Sequence, residues 1–186
     1  MRLSAPNLAP EMELTDIHGR IVNVGANGRR TLLCFFRDPA CPFCNLRIYE
    51  LTAHQGALAK LGLDIVAVFA ATPEEVYRFV ASKPRPFPVV AEPTGAAHKA
   101  YFIETSRWGK IKGILTRLPT ALKGLRIVGL AGLKTSNLMP ADFLIDEHGR
   151  IAEAWYGRDA GDRIPFERVE AFLARGLLER TAAASA

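Results

Sequence analysis

The chain has 186 residues and a mass of 20.4 kDa, which corresponds to one domain or to one domain with an insertion. Hydrophobic residues make up 49% and charged residues 23%, which is ordinary for a soluble globular chain and excludes a disordered tail, a fibre and a disulfide-rich mini-protein. No apolar stretch approaches the roughly 20 residues of a spanning helix, and the N-terminus lacks an apolar core of signal-peptide length. We therefore predict a cytoplasmic protein, in which three cysteines are too few for a disulfide framework.

The net charge of +5 is unevenly distributed along the chain. Between Lys99 and Lys134, eight basic residues are opposed only by Glu104, so this segment has a net charge of +7 and the rest of the chain −2. The basic character therefore belongs to one segment and not to the whole surface.

The first half of the chain predicts strands alternating with helices. After a turn and a short strand at 21–24, apolar β-prone runs predict buried strands at 31–36, 64–70 and 87–91. Helical signals predict helices at 42–61, at 73–83 and at 95–102. The first of these is indicated by Leu46, Tyr49, Ala53, Ala57 and Leu61, which recur three and four residues apart. The second begins with a capping box at 72–75, which has proline at the first helical position.

The second half predicts a hairpin and a final helix after the basic segment. Strands at 142–146 and 151–156 are joined by a tight turn, and residues 163–180 form an amphipathic helix. The inward side of that helix is predicted to consist of Ile164, Phe166, Val169, Phe172 and Leu173. This order of elements predicts parallel crossovers with an antiparallel edge, in a single domain that spans residues 1–186.

A Cys-x-x-Cys pair, residues 41–44, directly follows a predicted buried strand and begins a predicted helix. Backbone N–H groups and the helix dipole favour negative charge at this point, and the thiolate is the nucleophile in disulfide exchange. We predict that Cys41 is exposed and attacks, and that Cys44, about one turn further in, resolves the product. Pro42 suits the first helical position. We expect Asp38 to cap the helix rather than to accept a proton.

Such a pair also occurs as half of a zinc site or as two inert cysteines. A structural zinc ion needs four ligands, and the sequence has no second cysteine pair. No paired spacing is found among the histidines, which are His18, His54, His98 and His148. Cys34 falls inside a predicted strand, where we expect a small buried hydrophobe. We therefore predict redox chemistry without a metal or an organic cofactor.

Four segments together give the chain a resemblance that covers nearly its whole length. They are Phe35–Cys44, Phe87–Val90, Met139–Asp146 and Tyr156–Asp159. On these segments the chain resembles the thioredoxin superfamily and, within it, the peroxiredoxin-like AhpC/TSA proteins. The resemblance implies a thioredoxin-like α/β fold, in which helices flank a central mixed β-sheet. A basic helical insertion at about 103–136 would precede a cis-proline strand.

Similarity to thioredoxin implies further that the Met139–Pro140 bond is cis and packs beside the cysteine pair. The backbone of Met139 would then pair with a bound extended peptide. The expected substrate-binding residues are accordingly Pro42, Phe43, Met139 and Pro140.

The chain departs from the peroxiredoxin pattern, which places Pro seven residues and Thr or Ser three residues before the peroxidatic cysteine. Counted back from Cys41, these positions hold Cys34 and Asp38, and counting from Cys44 does not restore the motif. Pro140 stands where peroxiredoxins have an arginine just before the corresponding strand. The hydrogen bonds that polarise a peroxide are therefore not evident in the sequence. The arginines that remain as substitutes in space are Arg37, Arg47 and Arg158.

In the basic segment, apolar residues recur at helical spacing among lysines and arginines, and they are Trp108, Ile111, Leu115 and Leu118. The preferred interpretation is a helical hairpin that packs on the domain with solvated basic side chains. The alternatives are a homodimer surface or a lid over the cysteine pair. Glycines at 113, 124, 129 and 132 disfavour contact with a membrane surface, and nucleic-acid binding lacks an aromatic platform. Neither a membrane nor a nucleic acid is therefore a predicted partner.

The sequence thus predicts an oxidoreductase with a CxxC dithiol, in which Cys41 is the nucleophile and Cys44 the resolving thiol. The pair and Pro140 favour thiol–disulfide exchange, whereas the peroxiredoxin-like layout favours an antioxidant that reduces hydrogen peroxide or alkyl hydroperoxides. Either activity takes a protein disulfide or a peroxide as substrate and needs a thiol electron donor such as thioredoxin or glutathione. An alternative of another class is a non-enzymatic module that retains the fold and binds a partner through the insertion.

Overall fold

The computed structural model describes residues 2–128 and 135–184. The strands are β1 (Met12–Thr15), β2 (Ile21–Val24), β3 (Arg30–Phe36), β4 (Leu63–Phe69), β5 (Val89–Ala91), β6 (Ala141–Ile145) and β7 (Ile151–Tyr156). The helices are α1 (Pro42–Lys60), α2 (Pro73–Val76), α3 (Ala96–Ala100), α4 (Arg107–Thr116), α5 (Leu118–Val128) and α6 (Phe166–Ala184). A π-helical turn, Tyr77–Ala81, continues α2, which begins with the predicted capping box.

A five-stranded mixed sheet in the order β5-β4-β3-β6-β7 forms the centre of the molecule, and β1 and β2 form a separate hairpin. β3, β4 and β5 are parallel, whereas β6 pairs antiparallel with both β3 and β7. The predicted parallel crossovers and antiparallel edge are therefore confirmed. Every residue of β3 is buried, because both faces of this central strand are covered.

The alternation of side chains along β3 decides which residues face the cysteine pair. Cys34 and Phe36 belong to the same apolar cluster as Cys41 and Cys44, whereas Phe35 lies in the cluster on the opposite face. The prediction that Cys34 is a buried hydrophobe is confirmed. Five residues separate the end of β3 from the start of α1, so the segment 37–41 lies at the carboxyl edge of the sheet.

The helix α1 forms as predicted, but a different side of it faces the core. Ile48, Leu51 and Leu58 are buried, whereas Tyr49 and Leu61 from the predicted periodic set are exposed. The first turn of α1 accounts for this difference. Its residues 42–45 are all buried, and their packing fixes the rotation of the helix about its own axis. Two further members of the predicted set are alanines, and burying their small apolar area would stabilise the helix only slightly.

The basic insertion forms two consecutive helices, α4 and α5, which are separated by Arg117 and are together called the hairpin; the pair packs on the domain as predicted. The sequence did not predict which side of α4 packs: Gly109 and Gly113 face inward, whereas Trp108, Ile111 and Leu115 are exposed. A Cβ at Gly113 would lie 2.8 Å from the backbone nitrogen of Ala160, so the glycines allow a close approach of the two backbones. α5 packs against α1. Residues 129–134 of the predicted insertion lie outside the described residues.

Candidate active site

The two cysteines lie in the first turn of α1, just beyond the carboxyl end of β3. Cys41 is the N-cap residue and has an extended backbone, and Pro42 occupies the first helical position as predicted. Both cysteines are free thiols, and their sulfurs lie within hydrogen-bonding reach of each other. Two sulfurs in contact at a helix N-terminus are the arrangement that dithiol–disulfide cycling requires.

The expectation that Cys41 is exposed is wrong, because Cys41 and Cys44 are 0% and 1% exposed. Two other segments of the chain cover the pair: 136–140 binds Arg37 and Asp38 just before Cys41, and 157–162 packs against Phe43 and Pro140. The expected substrate-binding residues are buried as well, and they are Pro42, Phe43, Met139 and Pro140. In this closed arrangement none of them offers a free surface to a substrate.

The Met139–Pro140 bond is not cis, which corrects the expectation drawn from the resemblance. Among the described residues the cis peptide bond is Ala5–Pro6. The chain before β6 runs antiparallel to residues 104–106, and the Met139 N–H donates to the Glu104 carbonyl at 2.8 Å. This pairing holds the chain extended, with the peptide bond in its lower-energy trans form. The Met139 amide is also already bonded and therefore not free to pair with a peptide substrate.

Arg37 is a buried cation in contact with the nucleophilic pair. Its guanidinium donates to the carbonyls of Leu138 at 2.6 Å and Ser136 at 2.8 Å, and its Nη1 lies 3.5 Å from Cys41 Sγ. Within the described part of the chain, none of these hydrogen-bond partners is a carboxylate. A buried positive charge without an anionic partner favours a thiolate nearby.

The other two arginines considered as substitutes lie elsewhere. Arg47 donates to the Ile164 carbonyl at 2.7 Å and approaches Glu50, and Arg158 is exposed. Of the three candidates, the structure therefore brings Arg37 to the cysteines.

Arg163 is a second buried cation near the sulfurs, and the sequence analysis missed it. Its Nη1 donates to Asp142 Oδ1 and to the Phe35 carbonyl, both at 2.9 Å, and its Nη2 is buried without a hydrogen-bond partner. Its positive charge lowers the pKa of Cys44. One signal for it existed in the sequence: Asp142 stands in an apolar strand, and a buried carboxylate requires a cation or hydrogen-bond donors nearby.

The pKa values of the two thiols are shifted in opposite directions. Burial and the hydrogen bond that it donates to Cys44 raise the pKa of Cys41 well above its usual range. Burial also acts to raise the pKa of Cys44, but the hydrogen bond from Cys41 and the charges of Arg163 and Arg37 outweigh it and lower this pKa to about 6. Near neutral pH the closed pair therefore holds one proton and one negative charge, which the two sulfurs share.

We expect the reduced protein to become more stable as the pH rises from about 6 to the ~8.5 of an unfolded thiol. In this window the unfolded state binds more protons than the folded state, because the folded pKa of Cys44 is the lower one, so the free energy of unfolding increases with pH. Above ~8.5 the raised pKa of Cys41 has the opposite effect and the gain is lost.

Urea unfolding of the reduced wild type and of Cys44→Ala across this range measures the effect. The difference between the two proteins isolates the pair from all other titrating groups. Curves that run parallel from pH 6 to 8.5 would show that no thiolate is stabilised in the folded state.

Asp38 does not cap α1, since the N-cap residue is Cys41. One carboxylate oxygen of Asp38 accepts from the Ala40 N–H and the other from the Ser136 N–H, both at 2.9 Å. Asp38 therefore closes the turn before the helix and ties it to the segment that Arg37 also holds. Among the described residues, no group of three or more His, Cys, Asp or Glu side chains is arranged to bind a metal ion.

The hairpin of α4 and α5 lies over one of the two covering segments. The Ala160 N–H donates to a carbonyl of α4 at 3.2 Å, and Arg117 forms an ion pair with Asp159 at 3.1 Å. Gly161, which follows Ala160, packs closely against the Phe43 ring: a Cβ at Gly161 would lie 3.0 Å from Phe43 Cδ1. The hairpin therefore reaches the CxxC turn through the segment 157–162.

We expect Gly113→Ala to make the buried thiols more reactive. Its added methyl group would lie 2.8 Å from the backbone of Ala160, which cannot swing aside as a flexible side chain can, so α4 must shift. The rate at which the reduced protein reacts with an aromatic disulfide reagent should rise on the order of tenfold, since the reaction depends on local opening.

Gly56→Ala in α1 is the matched control, because nothing lies within 4 Å of its added methyl group. Helix propensity alone should stabilise this variant by about 1 kcal/mol and leave thiol reactivity unchanged. Equal reaction rates in both variants would exclude the hairpin as a cover of the site.

Fold and site together place the molecule in the thioredoxin-fold class of mixed α/β proteins. The model of the AhpC/TSA family matches residues 6–154, and the chain belongs to this family. The solved structure of peroxidoxin BcpB from Mycobacterium tuberculosis is similar, with a TM-score of 0.65 at 13% identity over 93% of this chain and 96% of that one. At this identity the likeness concerns the fold.

Two curated proteins are similar over part of their length. The chain is 39% identical over 77 residues to methylamine utilization protein MauD of Paracoccus denitrificans, and 31% identical over 78 residues to peroxiredoxin Bcp of Escherichia coli. These regions are 40% and 41% of this chain, and 36% and 50% of the two relatives. The matches therefore span half or less of each relative.

Proposed function

We propose that this protein is an oxidoreductase that cycles Cys41 and Cys44 between a dithiol and a disulfide. The observation that supports the proposal best is the hydrogen-bonded pair of buried sulfurs, which shares one proton beside the unpaired charge of Arg37. Two inert cysteines would have no need of a buried cation, whose desolvation costs several kcal/mol when it has no anionic partner.

Cys41 is proposed as the nucleophile and Cys44 as the resolving thiol. Cys41 precedes the helix and lies against Arg37, whereas Cys44 lies within the first helical turn. Cys41 attacks as a thiolate, so the proton that the pair shares resides on Cys44 during this step, and Cys44 acts first as a base.

In disulfide exchange, the Cys41 sulfur bonds to one substrate sulfur and the other leaves as a thiolate, which takes up a proton. Cys44 then loses its proton and attacks Cys41, the mixed disulfide breaks, and the second substrate thiol leaves. The substrate gains two electrons and the pair becomes a disulfide. A thiol donor such as thioredoxin or glutathione must return these electrons, and that donor remains part of the proposal.

Peroxide reduction is the second candidate, and the burial of the pair favours it. Since Cys41 is 0% exposed, either oxidant requires local opening, but a hydroperoxide requires a much smaller opening than a protein disulfide. The Cys41 thiolate would take the terminal peroxide oxygen to become a sulfenic acid, and the alcohol or water would leave. Attack by Cys44 would then expel hydroxide and form the same disulfide. The unpartnered Nη2 of Arg163 offers a donor for the peroxide oxygens.

Stopped-flow oxidation of the reduced protein tests both reactions, with hydrogen peroxide, an alkyl hydroperoxide and a disulfide-containing peptide as the oxidants. Loss of two thiols with a mass decrease of two hydrogens identifies the Cys41–Cys44 disulfide. If peroxide oxidises the pair no faster than free cysteine, the peroxidase candidate is excluded. If none of the three oxidants reacts faster with the pair than with free cysteine, the alternative predicted from the sequence, a non-enzymatic binding module, is favoured.

A cytoplasmic location remains a prediction.

A further inference from the structure

The helical hairpin presents large apolar side chains to solvent. Trp108, Leu115 and Leu122 are 81%, 73% and 54% exposed, and Ile111 and Leu118 are 47% and 51% exposed. In α4 the exposed residues follow one another at three- and four-residue spacing, so they form one face of the helix. An apolar face of this kind on a folded domain marks an interaction surface.

The opposite side of α4 explains why this face does not belong to the core. Gly109 and Gly113 pack inward against Met139 and Ala160, and this glycine contact already satisfies the packing of α4. Of the glycines that disfavoured a membrane contact in the sequence, Gly113 lies on the packed side of α4 and therefore does not weaken the exposed apolar face.

The segment that contains this face carries charged residues of one sign. No acidic residue occurs between positions 105 and 141, while seven basic residues do: Arg107, Lys110, Lys112, Arg117, Lys123, Arg126 and Lys134. Arg117 is paired with Asp159. Lys112, Lys123 and Arg126 are exposed beside the apolar residues of their own helices. The surface therefore combines apolar side chains with uncompensated positive charge.

We propose that this hairpin surface, formed by Trp108, Ile111, Leu115, Leu118 and Leu122 with the neighbouring cations, binds the interface of an anionic phospholipid membrane. The apolar side chains would enter the boundary of the acyl chains, and the lysines and arginines would remain at the headgroups. The contact is peripheral, since among residues 2–128 and 135–184 no helix is long and apolar enough to cross a bilayer.

A second copy of the chain fits this surface poorly. A symmetric dimer would bring the same surface of both copies together, and with it two segments that each have a net charge of +7 between Lys99 and Lys134. Like charges facing each other across an interface oppose association. An anionic bilayer instead matches both the apolar row and the sign of the charge.

Flotation of the full chain with vesicles tests the proposal. We expect binding to vesicles of phosphatidylcholine with one quarter phosphatidylglycerol, and binding weaker by about tenfold or more to phosphatidylcholine alone or at high salt. In a Trp155→Phe background, the emission of Trp108 should shift to the blue on binding, because Trp108 leaves water. Absence of binding to the anionic vesicles would overturn the proposal.

The double variant Ile111→Glu and Leu115→Glu should reduce binding by about tenfold or more, because it places two negative charges at the bilayer surface. The matched control is Ile21→Glu and Tyr77→Glu, which changes the net charge equally at residues that are 64% and 61% exposed elsewhere. Leu122→Glu tests α5 separately should the first variant fail to fold. Equal losses in variant and control, or a wild-type dimer that the hairpin variant dissociates, would each refute the membrane assignment.

Discussion

Cys41→Ser should abolish turnover, and Cys44→Ser should stop the reaction one step later. Without the Cys41 sulfur no bond to the substrate forms, and the rate should fall on the order of 10³-fold or more. Without the Cys44 sulfur the first attack still takes place, but the product on Cys41 cannot be resolved. The trapped species should be a mixed disulfide with an oxidised peptide, or a sulfenic acid with a peroxide, and mass spectrometry identifies it on Cys41.

Cys34→Ala is the control for these two variants. Cys34 is equally buried, but it lies in β3, and burial, followed by the charge of Asp142, raises its pKa well above the usual value. Its removal should leave the rate within a few-fold of the wild type. If Cys44→Ser forms no adduct and Cys41→Ser still forms one, then Cys44 is the nucleophile and Cys41 the resolving thiol.

Arg37→Met should raise the apparent pKa of the cysteine pair by about 1–3 pH units, because it removes a buried positive charge that lies 3.5 Å from Cys41 Sγ and lowers the pKa of both thiols. The ultraviolet absorbance of the thiolate, followed as a function of pH, measures this pKa directly. The reaction at neutral pH should slow in parallel, since less thiolate is present. Stability should also decrease, because the carbonyls of Leu138 and Ser136 lose their donor.

Arg47→Met separates the loss of charge at the sulfurs from a general loss of stability. Arg47 is a buried arginine of α1 that also donates to a backbone carbonyl, but its ion-pair partner is Glu50. This variant should lose stability without a change in the thiolate pKa. Arg37→Lys keeps the charge and should retain most of the low pKa. If Arg37→Met and Arg47→Met shift the pKa equally, Arg37 has only a structural role.

Much of the site follows from local signals in the sequence. The apolar run of β3, the proline after Cys41 and the helical pattern of α1 are properties of neighbouring residues, and they predict a thiol pair at a helix start. The mixed sheet follows in the same way from the order of its elements. The burial of Cys41 does not, because the segments that cover it are about 100 and 120 residues away in the chain.

The roles of Arg37, Arg163 and the glycines of α4 depend on tertiary contacts. Arg163 lies 119 positions after Cys44, so no spacing links them, and only the buried Asp142 indicates that a cation is required. In α4, periodicity marks the apolar residues as a face but does not say which way it points. The glycines decide this, because the backbone approaches the domain on their side.

The close contact between Gly113 and Ala160 has a kinetic consequence. When a reactive group is enclosed and opening is slow, raising the reagent concentration speeds the reaction only until every opening event is captured. Beyond that point chemically unrelated oxidants should all reach one common ceiling, which reports the frequency of opening and not the strength of the oxidant. The rate of such an enzyme would depend on changes in the motion of its helices as much as on the substrate concentration.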